Sequence, residues 1–293
     1  AGNALEGSPS AARGGVSEAK ERDKAAQWPS LLLRVPGRPG RAVCSPSYIG
    51  TPGMLMLFQL QLLAYRFMKP FMKPLSWLVA IPRPVLFVGP GSAARLCRLI
   101  GGSGARRTLI VTDAVLVKLG LVDPVQRSLE ADGIDVAVFD GIVPDPTHDV
   151  LDKGAAAVRA HGSDSILAIG GGSAIDAAKV IAAMATTGKT SAQLVGMLKV
   201  NKPPLPLFAV PTTAGTGSEV TVAAVVTDPV KHVKAVVVDP KLVPLAAALD
   251  AELMKGMPGP ITAATGMDAL THAVEAYVNR WPHQETPMLC VSA

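Results

Sequence analysis

The stretch Ser165-Ile-Leu-Ala-Ile-Gly170-Gly171-Gly172-Ser173-Ala-Ile-Asp176-Ala-Ala-Lys179 decides the reading of this chain. Four apolar residues, Ile166–Ile169, run into three glycines, and a helix-forming segment follows. A strand, a tight turn and a helix are therefore expected in that order. Glycine lets the backbone approach a ligand with no Cβ in the way. Ser173 reads as the helix N-cap, with Asp176 three residues later completing a capping-box-like pair. The free amides and the dipole of the new helix suit a diphosphate. The spacing is not GxGxxG, so the usual dinucleotide fingerprint does not apply. The same turn can also join a strand to a helix and bind nothing.

On both sides of this stretch, β-branched runs alternate with helical ones. Strands are expected at Val85–Val88, Thr108–Val111, Asp135–Phe139, Ser165–Ile169, Leu207–Val210, Val222–Val226 and Ala235–Val238. Helices are expected at Ala93–Ile100, Ala114–Gly120, Pro124–Asp132 and Thr147–His161. Such alternation means βαβ units and a mostly parallel sheet covered on both faces, the α/β class, over residues 83–250. Past Ala251 the strand signals stop. Pro260–Asn279 reads as one long helix with Pro260 pre-set for its first turn, and another helix begins near Glu285.

Three further groups carry chemistry. Thr212, Thr213 and Thr216 stand with Gly215 and Gly217 in Val210-Pro-Thr-Thr-Ala-Gly-Thr-Gly-Ser-Glu219, a loop after a strand. Its short donors suit ribose and phosphate oxygens, although its composition fits a polar surface loop equally. Asp113 follows the strand Thr108–Val111. It can accept from ribose hydroxyls and repel a 2′-phosphate, or cap the next helix, or do both. Asp268 and His272 are i and i+4 on the long helix, a carboxylate and an imidazole one turn apart that can share a divalent metal. The same spacing also describes a surface helical pair, and two ligands fall short of a catalytic site.

The 293 residues are 49% hydrophobic and 4% aromatic, a balance that excludes a wholly disordered chain. Cys44, Cys97 and Cys290 form no CxxC pair, which argues against a disulfide framework and for a reducing compartment, cytoplasmic by default. The formal charge of +5 belongs to the N-terminal third: residues 54–107 contain no acid, whereas residues 108–293 are net acidic. A nucleic-acid partner is not expected on that distribution. Residues 1–53 read as disordered or non-native, with Met54 or Met56 a candidate start. Glu6, Glu18, Glu21 and Asp23 make them a poor organellar transit peptide. Residues 54–82 read as an apolar, basic helical segment. Its stretch 54–80 is interrupted by Lys69, Pro70, Lys73 and Pro74, which points to packing on the body or to peripheral membrane contact rather than a span.

The order and spacing of GGGSAIDAAK, PTTAGTGSEVT and AATGMDALTHAVEAY resemble the iron-containing (group III) alcohol dehydrogenases. Val111–Asp113, Val143–Thr147 and Lys234 before Val236–Pro240 support the likeness. The resemblance implies a nucleotide-binding α/β domain followed by an all-helical metal domain, the dehydroquinate-synthase-like fold, here begun in residues 251–293 and truncated. It implies that Gly171, Gly172 and Ser173 hold the NAD diphosphate, that Asp176 belongs to the cofactor-binding set and that Asp113 selects NAD. It implies that Thr212, Thr213 and Thr216 line the cofactor, with Lys234 near the nicotinamide ribose. Asp268 and His272 become the first two ligands of iron(II), or of zinc. The implied reaction moves a hydride between a primary alcohol or aldehyde and NAD, in a homo-oligomer when the chain is full length. Two later histidine ligands of the family have no counterpart: His148 and His161 lie in the nucleotide domain, His232 lies in a loop, and the family has no ligand at His283. A dehydroquinate-synthase-like lyase and a non-catalytic nucleotide-binding short form remain the alternatives.

Overall fold

The computed structural model describes residues 60, 63, 82–228, 233–279 and 285–292. Residues 1–53 and nearly all of 54–82, with the extension and the basic helical segment expected there, lie outside the described residues. Leu60 and Leu63 are helical and exposed.

The body is built on six parallel strands: β1 (Val85–Val88), β2 (Arg107–Val111), β3 (Asp135–Phe139), β4 (Ser165–Gly170), β6 (Leu207–Pro211) and β9 (Ala246–Leu249). Their order across the sheet is β1-β9-β6-β4-β2-β3. The side-chain period of two sends alternate residues of each strand to opposite faces. Ile166 and Ala168 of β4 join Leu109, Val111, Leu207 and Ala209 on one face. Helices α4 (His148–His161) and α5 (Gly172–Thr187) cover them through Leu151, Val158 and Ile175. Leu167 and Ile169 face the other way with Ile110, Phe208 and Val210, under α1 (Ser92–Gly102) and α3 (Asp123–Ala131). The short helices α2 (Ala114–Lys118) and α6 (Ser191–Leu194) complete the body.

A smaller sheet, ordered β5-β8-β7, lies against the outer side of α5. Its strands are β5 (Gly196–Met197), β7 (Ala223–Asp228) and β8 (Val233–Val238), and β7 pairs with β8 antiparallel. Covered by sheet on both sides, α5 buries every residue from Ala174 to Met184, apolar except for Asp176 and Lys179. Past Leu249 the described residues are helical only: a 3-10 turn at Ala251–Met254, then α7 (Gly259–Val278) and α8 (Thr286–Ser292). No helix among the described residues is long and apolar enough to cross a membrane.

The sequence-based strands and helices recur within two residues of their expected ends. Three elements were not expected: β5, α6 and β9. Thr190 caps α6 in a capping box with Gln193, and β5 is too short for a periodic signal.

Candidate functional site

β2, β4 and β6 are neighbours in the large sheet, and their carboxyl ends carry the three expected loops. In register, Val111 pairs with Ala168 and Gly170 with Pro211. Asp113, the Gly170–Ser173 turn and Thr212 are thereby brought to one edge. The chain order also reverses there, since β3 lies to one side of β2 and β4, β6 and β9 to the other. Parallel sheets bind ligands at such a crevice.

Backbone contacts seal the three loops together. The Thr212 amide donates to the Gly170 carbonyl at 3.0 Å, and Thr212 is buried. A Cβ added at Gly171 would stand 3.2 Å from Thr213 Oγ1, and one at Gly172 would stand 3.0 Å from Thr216 Cγ2. The glycine turn and the threonine loop therefore face each other with no room for a side chain. At Gly170, φ is +154° and a Cβ would meet that of Ala174 at 2.6 Å, so this position requires glycine. Asp113 Oδ1 accepts from the amides of Val115 and Leu116 at 2.9 and 3.0 Å, an N-cap for α2. Its other oxygen is turned toward Gly170, 3.9 Å from where a Cβ there would sit.

Two expectations are corrected. Helix α5 begins at Gly172, with Gly171 as an N-cap that makes no side-chain bond, so Ser173 is not the cap and no capping box forms. Ser173 Oγ instead accepts from the Asp145 amide at 3.4 Å. Asp176, expected among the cofactor-binding residues, is 8% exposed. Its Oδ2 accepts from the Val225 amide at 2.9 Å, and its Oδ1 lies 3.7 Å from Lys179 Nζ. It faces the small sheet below the turn. Burial raises the Asp176 carboxyl pKa despite the nearby Lys179 ammonium.

Lys234 reaches the same mouth indirectly. Its Nζ donates to Asp145 Oδ1 at 2.7 Å, and Asp145 is the residue whose amide meets Ser173. Asp145 has φ +56°, a conformation aspartate tolerates better than most residues. The Thr227 amide donates to the Pro146 carbonyl at 2.9 Å, fastening the β7–β8 hairpin to the same segment.

Helix α7 meets the threonine loop backbone to backbone. A Cβ at Gly215 would stand 2.3 Å from the Thr265 carbonyl oxygen. The half-covered residues of α7 in this stretch, Thr265, Asp268, Ala269, Ala273 and Ala276, share one face by their spacing. His272 stands beside them, its Nε2 3.7 Å from Asp268 Oδ1. Two donors on one tetrahedral cation with bonds of about 2.1 Å stand about 3.4 Å apart. The pair thus suits a shared divalent ion with a shift of a few tenths of an ångström. No group of three or more His, Cys, Asp or Glu side chains suited to a metal occurs among the described residues. His148 and His161 are occupied elsewhere, their Nδ1 atoms each 2.8 Å from Ser191 Oγ and Ser163 Oγ.

The family model described as iron-containing alcohol dehydrogenase matches residues 83–251. The chain belongs to the iron-containing alcohol dehydrogenase family. It is 47% identical over 199 residues to alcohol dehydrogenase 4 of Schizosaccharomyces pombe, covering 68% of this chain and 47% of that one. It is 41% identical over 207 residues to the lactaldehyde reductase of Escherichia coli, covering 70% and 54%. It is 40% identical over 210 residues to an NAD-dependent methanol dehydrogenase of Bacillus methanolicus, covering 72% and 55%. Among solved structures, a 1,3-propanediol oxidoreductase matches with a TM-score of 0.69 and 38% identity over 72% of this chain and 56% of that one. The chain spans about half the length of the curated relatives it matches.

The matching family model is described as iron-containing, and the methanol dehydrogenase relative is named as NAD-dependent. Sequence reasoning gave no role to three residues that shape the site. Asp145 was signalled only by its place in Val143–Thr147. Gly215 was one of several loop glycines. Lys179 closed the quoted motif, where a lysine reads as a surface residue.

Proposed function

We propose that this chain forms the nucleotide-binding half, with the first two metal-donor side chains, of an NAD-dependent alcohol dehydrogenase acting on a primary alcohol or aldehyde. The carrying observation is convergence. Three adjacent strands end in Asp113, Gly170–Ser173 and Thr212–Thr216, and the helix bearing Asp268 and His272 abuts the last of these loops. When bound, the nicotinamide accepts the hydride and a divalent metal such as iron(II), or zinc, lowers the pKa of the alcohol.

The protein's own part is positioning. The first amides of α5, with no acceptor within the helix, receive the diphosphate, and glycine keeps that approach open. Thr213 and Thr216 offer hydroxyls from the opposite wall. The Asp113 oxygen not used for capping accepts from the adenosine ribose and disfavours a 2′-phosphate. Asp145 holds the Lys234 ammonium at the mouth of the turn, within reach of the second ribose. Asp268 and His272 present one oxygen and one nitrogen to the cation.

Titrating the purified chain with NADH, followed by nicotinamide fluorescence, tests this reading. Saturable binding is expected, and Gly172→Val should abolish it by pressing on Thr216. A folded chain that leaves NADH fluorescence unchanged removes the proposal.

A further inference from the structure

Lys179 is fully buried, two turns into the helix that begins at the glycine turn. Its Nζ donates to the Thr221 carbonyl at 3.0 Å, to Thr221 Oγ1 at 2.8 Å and to the Ala223 carbonyl at 2.8 Å. All three donors of the ammonium are spent on one stretch of chain. One turn earlier on the same face, Asp176 holds the Val225 amide. Together the two side chains tie residues 221–225 to α5, and the chain entering that stretch carries Thr216, which closes on Gly172.

We propose that Lys179 is a positioning residue for the dinucleotide: its charged ammonium fixes the threonine loop against the glycine turn, so nucleotide affinity depends on its protonation. The proposal rests on the dinucleotide reading above. A neutral amine has two N–H donors and a lone pair. It keeps all three contacts only by accepting the Thr221 hydroxyl proton, which that hydroxyl otherwise offers to the Ser218 and Ala223 carbonyls, so deprotonation costs the segment one hydrogen bond. Burial lowers the Lys179 pKa to about 8, against the opposing pull of Asp176 and Glu219. Asp176 from α5 and Glu219 from the turn before β7 are the charged groups acting on it. The other anchoring contacts are the carbonyls of Thr221 and Ala223 and the Thr221 hydroxyl.

The test is the NADH dissociation constant of the full chain, measured by fluorescence from pH 6.5 to 10. Wild type is expected to weaken roughly fivefold to tenfold through a single step near pH 8, the worth of about one hydrogen bond. Lys179→Met should bind with the weaker constant at every pH and show no step. Asp176→Asn, which keeps an oxygen for the Val225 amide, should move the step to lower pH by removing the countercharge. If Lys179→Met does not fold by circular dichroism, Asp176→Asn carries the test alone. Wild type that binds NADH with no step, or a step unmoved by Asp176→Asn, overturns the role of Lys179 and leaves the dinucleotide reading intact. Wild type that binds no NADH at any pH overturns both.

Discussion

Helices α5 and α7 bear the two halves of the candidate site, and both are rich in alanine and other apolar residues, yet they sit in opposite surroundings. Ala174–Met184 of α5 are all buried between two sheets, whereas α7 has no buried residue and exposes Ile261, Met267, Leu270, Val274 and Tyr277. Apolar composition alone therefore does not say how firmly a helix holds its polar side chains. At the glycine turn, geometry is imposed by the surrounding core. At Asp268 and His272 it comes from helical spacing and from the contact of Thr265 with Gly215. Changes in the first region should cost folding energy, and changes in the second should cost ligand affinity alone.

The strongest way to break the comparison lies at Gly170. Gly170→Ala forces a side chain into φ +154° and against Ala174, and should cost about 2–4 kcal/mol in urea denaturation. Next in size is a pH effect in the same helix. The Lys179 amine titrates at about 8 when folded, below its ordinary 10.5. The folded chain gives up this proton first, so the burial cost is present below pH 8 and is relieved as pH rises toward 10.5. Wild type should therefore gain on Lys179→Met between those limits, on the order of 1–3 kcal/mol, measured by urea denaturation at pH 7.5 and 10.

Asp113 sharpens the contrast by separating fold from recognition. Asp113→Ala removes the α2 cap and should cost about 1 kcal/mol, while Asp113→Asn keeps the cap and should cost only a few tenths. Both should raise NADPH affinity relative to NADH, read by competitive fluorescence titration. The smallest expected stability change is at His272. The Asp268–His272 pair is about half exposed, so His272→Ala should shift stability by less than about 0.5 kcal/mol. The same change should weaken iron(II) or zinc binding severalfold in calorimetric titration. A loss of stability there as large as at Gly170 would erase the distinction between the two helices.

The sheet was legible in the sequence wherever β-branched residues recur, as in Val85–Val88 and Asp135–Phe139. β9 was not, because Ala246-Ala-Ala-Leu249 has almost no β-branched signal. Its alanines are small because the strand is pressed between neighbours on both sides: Ala247 faces one core layer, and Ala246 and Ala248 the other. The grouping of the glycines, the threonines and Asp113 was legible, because each follows the carboxyl end of a neighbouring strand. Asp176 was misread because Ser173 and Asp176 fit a local capping pattern, while the partner that claims the carboxylate, Val225, is 49 residues away. Lys179 was missed for the same reason: a charged residue reads as solvated until the carbonyls that surround it are in place.

The meeting of Gly215 with the Thr265 carbonyl has a consequence for how this architecture can vary. Two stretches of main chain touch there with only a hydrogen atom between them, so no rotamer can yield to take up a change in spacing. The spacing between the threonine loop and the helix that bears Asp268 and His272 is ruled by peptide dimensions, which substitutions elsewhere on either surface leave untouched. In the dehydrogenase proposed above, drift in the surrounding side chains would then retune the choice of alcohol without lengthening the path of the hydride.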